Sequence, residues 1–482
     1  MTGQEERVPA RQIVPEEWFS EKSALERRLG LTEAFSILIG RIIGSGIFRT
    51  PAPIMILVGS VSMFYGVWLL GGIATLLGAF VYAEMAAMMP KSGGPYAFLR
   101  AAYPPVWAFL RGWAMFFVSE TGAIAAVSIV FAEYGNSLYR LLTGAAFSRG
   151  VEVLIALAII WLLTVVNCFG VALGGKVQNI LSLLKLIALG IVIGVCFASV
   201  GSSAHFSQSF WPEKFTWGSL LAMGAAMRYA FFAFSGWEGA TYVAEEVKNP
   251  RKNLPLSLIL GITGVMLIYL AANSAYIFQL PTARIAESKW VAVDAVEAAV
   301  GGIGGILVSL AVMLNTFGSV SSQVLVKARG VYAMARDGLF FRWLGEVHPR
   351  YKTPNRALIV QGVWATVLLF AAGFAAHAYE TIIDFFSFTS SIFNISTFAA
   401  VYILRRKYPD APRYYKAWGY PVTLILVLII QVWFMITTLI TAFIPSLAGI
   451  ALTCTGLIYY YGGTAVQSLR RRWRERSSPP LG

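Results

Sequence analysis

The chain has 482 residues, of which 57% are hydrophobic and only 13% charged, and its mean hydropathy is +0.67. A soluble chain carries about twice that share of charge, which excludes an ordinary soluble globular protein and indicates an integral membrane protein. The formal net charge of +14 invites a nucleic-acid reading, and the placement of the charges decides against it.

Residues 1–30 are polar and charged, with no early apolar core before a small-residue cleavage site, so no cleavable signal peptide is expected. Apolar runs long enough to span a bilayer then fall near 31–58, 62–89, 105–136, 151–171, 178–200, 218–242, 255–279, 299–325, 357–376, 381–404, 421–441 and 445–463. The runs 105–136 and 299–325 are long, which predicts tilt or extension past the bilayer. Pro445 sets the boundary between the last two. Basic residues collect in alternate loops. One side holds Arg7, Arg11, Lys22, Arg27, Arg28, Lys91, Arg100, Lys176, Lys248, Arg251, Lys252, the group from Lys327 to Arg356, Arg405 to Lys416, and the tail from Arg470 to Arg476. The other holds only Arg140, Arg149, Lys214, Arg284 and Lys289. The positive-inside rule therefore predicts both termini in the cytoplasm, and it explains the net charge as topology. The expected partner is the lipid bilayer, with no nucleic acid.

Cys168, Cys196 and Cys454 all lie in apolar surroundings, and His205, His348 and His377 are scattered. This predicts neither a disulfide frame nor a metal site, and no cofactor. No convergent catalytic set or nucleophile elbow is present, so an enzyme is not expected.

The first run contains Gly40-Arg41-Ile42-Ile43-Gly44-Ser45-Gly46-Ile47-Phe48. Each unpaired backbone polar group in lipid costs several kcal/mol, so a helix breaks there only where the freed groups line a polar cavity. A break also leaves a half-helix N-terminus suited to an anion. The alternatives are a plain kink or close helix packing. A second break follows at Phe231-Phe232-Ala233-Phe234-Ser235-Gly236-Trp237-Glu238-Gly239 in the sixth run. Interruptions at corresponding places in two sets of five helices are the pointer to an inverted-repeat transporter with a midplane site.

Beyond these breaks, Tyr82-Ala83-Glu84-Met85 with Pro90 to Tyr96, Ala244 to Pro255, Ala335-Arg336-Asp337-Gly338, and His348-Pro349-Arg350 with Thr353-Pro354 occur in order along the chain. Together with Gly44-Ser45-Gly46-Ile47-Phe48 they resemble the amino acid–polyamine–organocation superfamily. The L-type amino acid transporter branch with its bacterial relatives is the nearest match. The resemblance covers nearly the whole chain. It implies an all-α membrane protein of 12 transmembrane helices, with a LeuT-like 5+5 inverted repeat plus two C-terminal helices, and with helices 1 and 6 discontinuous. The expected organisation is a cytoplasmic segment 1–30, a first repeat 31–200, a second repeat 201–404, two further helices over 405–464, and a basic cytoplasmic tail 465–482.

The resemblance further implies that the substrate carboxylate meets the N–H groups of Ser45, Gly46 and Ile47 beside Gly44. The ammonium is expected at carbonyls near Ile42, Ile43, Phe232 and Ser235, next to Gly236. Two broken helices offer donors at one end and acceptors at the other, which is what a zwitterion needs. Phe232 matches the aromatic that closes over substrate, and packing among its aromatic neighbours is the other reading. Lys185 is an ionisable residue deep in the fifth run. By resemblance its ammonium replaces a sodium ion by bridging helices 1 and 8, with Ser321, Ser322 or the backbone around Gly44 as partners; proton coupling is the alternative.

Arg41, Glu120 and Glu238 depart from the pattern as charges near one site. Arg41 is expected to pair with Glu120 or Glu238, since buried charges are paired. Alternatively an acid stays free for cationic substrates, or Arg41 snorkels to the cytoplasmic surface. Trp217, Trp237 and Trp290 are read as an interfacial belt. The expected function is sodium-independent exchange of neutral L-amino acids by alternating access across the plasma membrane (the inner membrane of a bacterium). A proton-coupled or cationic amino acid or polyamine carrier is the alternative, and a transporter-like amino acid receptor is a second one of another class. In the branch this chain resembles, animal members join a glycoprotein partner through a cysteine in the loop after helix 3; the loop Leu138 to Gly150 here has no cysteine, so no disulfide-linked heavy chain is expected.

Overall fold

The computed structural model describes residues 19, 27, 29–91, 93–169, 174–336, 338, 340–351 and 353–477. Most of the expected N-terminal segment, including Arg7, Arg11, Lys22 and Arg28, lies outside the described residues, as do Asp337 and Lys352. Among the described residues the fold is all helical, and the single β contact is an isolated bridge between Leu29 and Val247.

Ten helices among the described residues are long and apolar enough to cross a bilayer. The run 178–200 falls on the helix Gly174–Ala198, and the run 218–242 falls on two pieces, Trp217–Ala233 and Gly239–Tyr242. The run 31–58 is divided into Leu31–Ile42, Gly46–Arg49 and Pro51–Val58. Pro51 opens its piece where a missing N–H costs nothing, and Gly59 closes it with φ +65.

Two boundaries move. The third apolar run extends as helix through Pro105–Thr143, and the eighth extends as Gly302–Arg336. The last helix begins at Phe443, with Pro445 inside its first turn, and continues to Ser477. Much of the expected tail is therefore helical backbone, because arginine, glutamine and glutamate are good helix formers once a nucleus exists upstream.

Helices on apolar runs five apart in chain order lie against each other. Val61–Met88 runs along Pro250–Gln279, Pro105–Thr143 along Gly302–Arg336, and Arg149–Cys168 along Asn355–Ala372. The helix Leu31–Ile42 packs between Pro250–Gln279 and Gly174–Ala198, and the short piece Gly46–Arg49 meets Trp217–Ala233. Both broken segments are thus held at the centre of the bundle. One further irregularity faces them. Met115–Ser119 forms a π turn within the third helix, directly before Glu120. Such turns rotate the residues that follow them and recur at functional sites.

Candidate functional site

The two breaks touch. Ile43 leaves helical geometry with ψ 94, and Ser45 caps the next piece. A Cβ on Gly46 would stand 2.5 Å from the Cα of Ala233, so only glycine lets the two segments approach. Gly236 has φ +93, and a Cβ there would meet the Arg41 carbonyl oxygen at 3.1 Å. The Tyr269 hydroxyl is shared between the Ile42 carbonyl at 3.1 Å and the Ala233 carbonyl at 3.0 Å, tying one break to the other. Trp68 packs edge-on against Tyr269 and Phe234 behind this junction.

The junction leaves donors free. Among the described residues, the N–H groups of Ser45, Gly46 and Ile47 find no backbone acceptor, as the first turn of a helix leaves them. The Ser45 and Tyr379 hydroxyls are buried beside each other, and neither has a hydrogen-bond partner within 3.5 Å. Buried polar groups are normally paired, so this cluster of orphans is shaped for a ligand. Several carbonyls expected to take the ammonium are already engaged. Ile42 accepts from Tyr269, and Phe232 accepts from the Ser235 N–H at 3.0 Å. Phe232 itself stands edge-on to Tyr379 at 5.5 Å and against Phe386 at 5.9 Å.

A cavity of about 160 Å³ adjoins the junction. It reaches the first break at Gly40 and Arg41 and the second at Phe232 and Ser235 to Glu238. Ser45, Gly46 and Ile47 are not among its lining residues, so the expected cradle lies beyond its inner end. Ser119, Ser319, Ser322, Ser387 and Asn394 add hydrogen-bonding groups to its wall.

Lys185 is buried and donates to the Gly40 carbonyl at 3.2 Å and to Ser319 Oγ at 2.7 Å. It thus bridges the first broken helix and Gly302–Arg336. The partner is Ser319 in place of Ser321 or Ser322. One helical residue turns a side chain by 100°, and residue 319 is the one facing the lysine.

The expected pairing of Arg41 is corrected for Glu120. Lys327 Nζ lies 2.8 Å from Glu120 Oε2 and also donates to the Glu120 carbonyl and to Gln323. The π turn presents Glu120 to the eighth helix, which carries Lys327. Among the described residues neither Arg41 nor Glu238 has an oppositely charged partner within 4 Å. The Arg41 guanidinium instead lies 5.3 Å over the Tyr242 ring, and its stem packs on Gly239, where a Cβ would come within 2.7 Å. Trp237 leaves the interfacial belt. It lines the cavity and packs on Tyr82 at 4.6 Å. Trp290 donates to the Glu133 carbonyl inside the bundle, and Trp217 is exposed.

Lys327, read as a loop charge on the cytoplasmic side, is instead buried inside the helix Gly302–Arg336. The roles of Arg111, Tyr269 and Tyr379 were missed in the sequence; a charge inside the run 105–136 was the signal for Arg111.

Past the junction, away from the cavity, the bundle is closed by buried charge. Arg49 pairs with Glu133 at 3.1 Å and Glu380 at 3.0 Å. Arg149 pairs with Glu133 at 3.4 Å and Glu152 at 2.5 Å. Asn136 reaches Glu152 at 2.6 Å, and the Tyr134 hydroxyl donates to the Phe48 carbonyl at 2.8 Å.

A multi-pass helical bundle with two touching helix breaks beside a polar central cavity defines a membrane carrier for small solutes. The family model for amino acid permeases matches residues 29–466, and the chain belongs to that family. Among its relatives is the b(0,+)-type amino acid transporter 1 of Homo sapiens, 28% identical over 95% of this chain and 92% of the relative. The Asc-type amino acid transporter 1 of Mus musculus is 30% identical over 95% of this chain and 83% of its own length. The large neutral amino acids transporter small subunit 2 of Mus musculus is 31% identical over 91% and 81%. The chain is a transporter of the amino acid permease family, not an enzyme.

Proposed function

We propose that this protein is a sodium-independent secondary transporter of L-amino acids that works by alternating access as an exchanger. The observation that carries the reading is the contact of the two breaks, with free Ser45, Gly46 and Ile47 N–H groups on one side and broken-helix carbonyls on the other. A zwitterion fits that polarity without a charged side chain in the cradle. The ammonium falls to the acceptors left beside Ile43, Ser235 and Gly236. Phe232, backed by Tyr379 and Phe386, closes over it. The Lys185 bridge supports sodium independence, because a fixed ammonium occupies the junction of the first and eighth helices.

The proposed architecture has twelve spans, with a repeat over 31–200 and its inverted counterpart over 201–404, followed by two helices and the basic tail. Packing of equivalent helices from the two halves supports the repeat. With both termini cytoplasmic by loop charge, the cavity opens toward the cytoplasm and the Arg49 network closes the outside. The absence of cysteine from 138–150 supports a self-sufficient carrier of the bacterial inner-membrane type, with no disulfide-linked heavy chain.

Uptake of labelled amino acid into proteoliposomes tests this reading. Uptake should rise on preloading with unlabelled amino acid and should not respond to sodium. Uptake indifferent to preloading but driven by a pH gradient would replace exchange with proton coupling.

A further inference from the structure

Six charged side chains line the cavity: Arg41, Arg111, Glu120, Arg228, Glu238 and Lys327. Three of these are paired within the protein. Lys327 holds Glu120 at 2.8 Å, and Arg228 holds Asp384 at 2.9 Å. Arg41, Arg111 and Glu238 remain without an ion pair among the described residues. Glu238 can offset one guanidinium, which leaves one positive charge.

Arg111 is the less satisfied of the two arginines. It is 6% exposed, and its Nε is buried with no hydrogen-bond partner. Its guanidinium lies 5.8 Å over the Phe393 ring, a contact that leaves the planar fork of N–H donors free at its edge. Arginine cannot shed its proton inside a protein. A guanidinium buried at this depth therefore calls for an anion, and the remaining acid on the wall does not serve both arginines. Arg41, Arg111, Glu120 and Glu238 all line this one cavity, so they form one cluster around one space.

We propose that the cavity takes amino acids whose side chain ends in a carboxylate, with Arg111 as the residue that recognises it and Arg41 in support. This rests on the amino acid carrier reading and narrows its substrate class, replacing the expectation of neutral side chains. The α-carboxylate and α-ammonium stay at the junction of the breaks, and the second carboxylate points into the cavity.

The test uses the full chain in proteoliposomes, with glutamate, aspartate, glutamine and leucine each competing against one labelled amino acid. Glutamate or aspartate should compete better than glutamine by about tenfold or more, the scale of one charge-assisted bidentate contact. Arg111→Gln should collapse that ratio, and Arg111→Lys should retain part of it. Binding followed by Trp237 fluorescence gives the same ratio for the wild type without need of turnover. Exchange of leucine or glutamine in preference to glutamate overturns the inference and leaves the carrier reading standing. An unchanged ratio in Arg111→Gln overturns the role of Arg111. Neutral uptake that requires chloride, with no preference for glutamate, assigns the anion to the salt and overturns the inference. No exchange of any amino acid overturns both readings.

Discussion

The two sides of the junction use charge in opposite ways. On the closed side, Arg49, Glu133, Glu380, Arg149 and Glu152 form a continuous set in which every charged group has an opposite partner within 4 Å. On the cavity side, Arg41, Arg111 and Glu238 face the space without such partners. Matched charges in a low-dielectric interior hold elements together once each is compensated. Unmatched charges at similar depth are costly to the empty protein and become favourable only when a ligand compensates them. A carrier needs both, one side shut firmly enough to exclude solvent and the other prepared for cargo.

The largest expected effect comes from breaking the closed side. Arg49→Ala strands Glu380 and leaves Glu133 only its longer contact to Arg149, and should cost about 3–5 kcal/mol. A thermal unfolding series in detergent measures it, and a change within error would mean that the network is solvated. Next is a matched pair on the cavity side, Lys327 with Glu120. Glu120→Gln should cost about 3 kcal/mol by leaving Lys327 without its carboxylate, and adding Lys327→Met should recover more than half of that. A double variant no better than the singles would show that the pair does not act as a unit.

A smaller effect is expected where the breaks touch. Gly46→Ala should cost about 1–3 kcal/mol by overpacking against Ala233 and should impair exchange more than stability. Gly44→Ala is the control, since its added Cβ meets Ser319 Oγ only at 3.5 Å, an ordinary contact. Equal damage from both would argue against the close approach. The smallest effect on stability belongs to Tyr379→Phe. Its hydroxyl has no partner in the empty protein, so removing it should change stability by less than about 0.5 kcal/mol while raising KM for exchange. A clear loss of stability would place that hydroxyl in the fold rather than at the ligand.

Much of the site could be read from residues that offend the lipid rule. Gly44-Ser45-Gly46, Ser235-Gly236 and Lys185 stand out because glycine pairs and a lone ammonium are poorly suited to a membrane helix unless they serve a cavity. Partner choice could not be read in the same way. Glu120 and Lys327 are separated by 207 positions, and Lys185 and Ser319 by 134. Apolar runs locate a helix to within a turn, whereas a shift of one residue rotates a side chain by 100° and changes what it meets. The π turn before Glu120 has no marker in a run that is apolar throughout, and it decides which way that carboxylate faces.

Composition, hydropathy and loop charge were enough to set the membrane environment, the helical content and the expected sidedness, because each depends on local chemistry summed along the chain. The breaks were also local, since glycine and serine act where they stand. The close approach of Gly46 to Ala233, the Lys327 partner of Glu120 and the unmatched Arg111 were decided only by the tertiary structure. They depend on the rotation and depth of helices packed from distant parts of the chain.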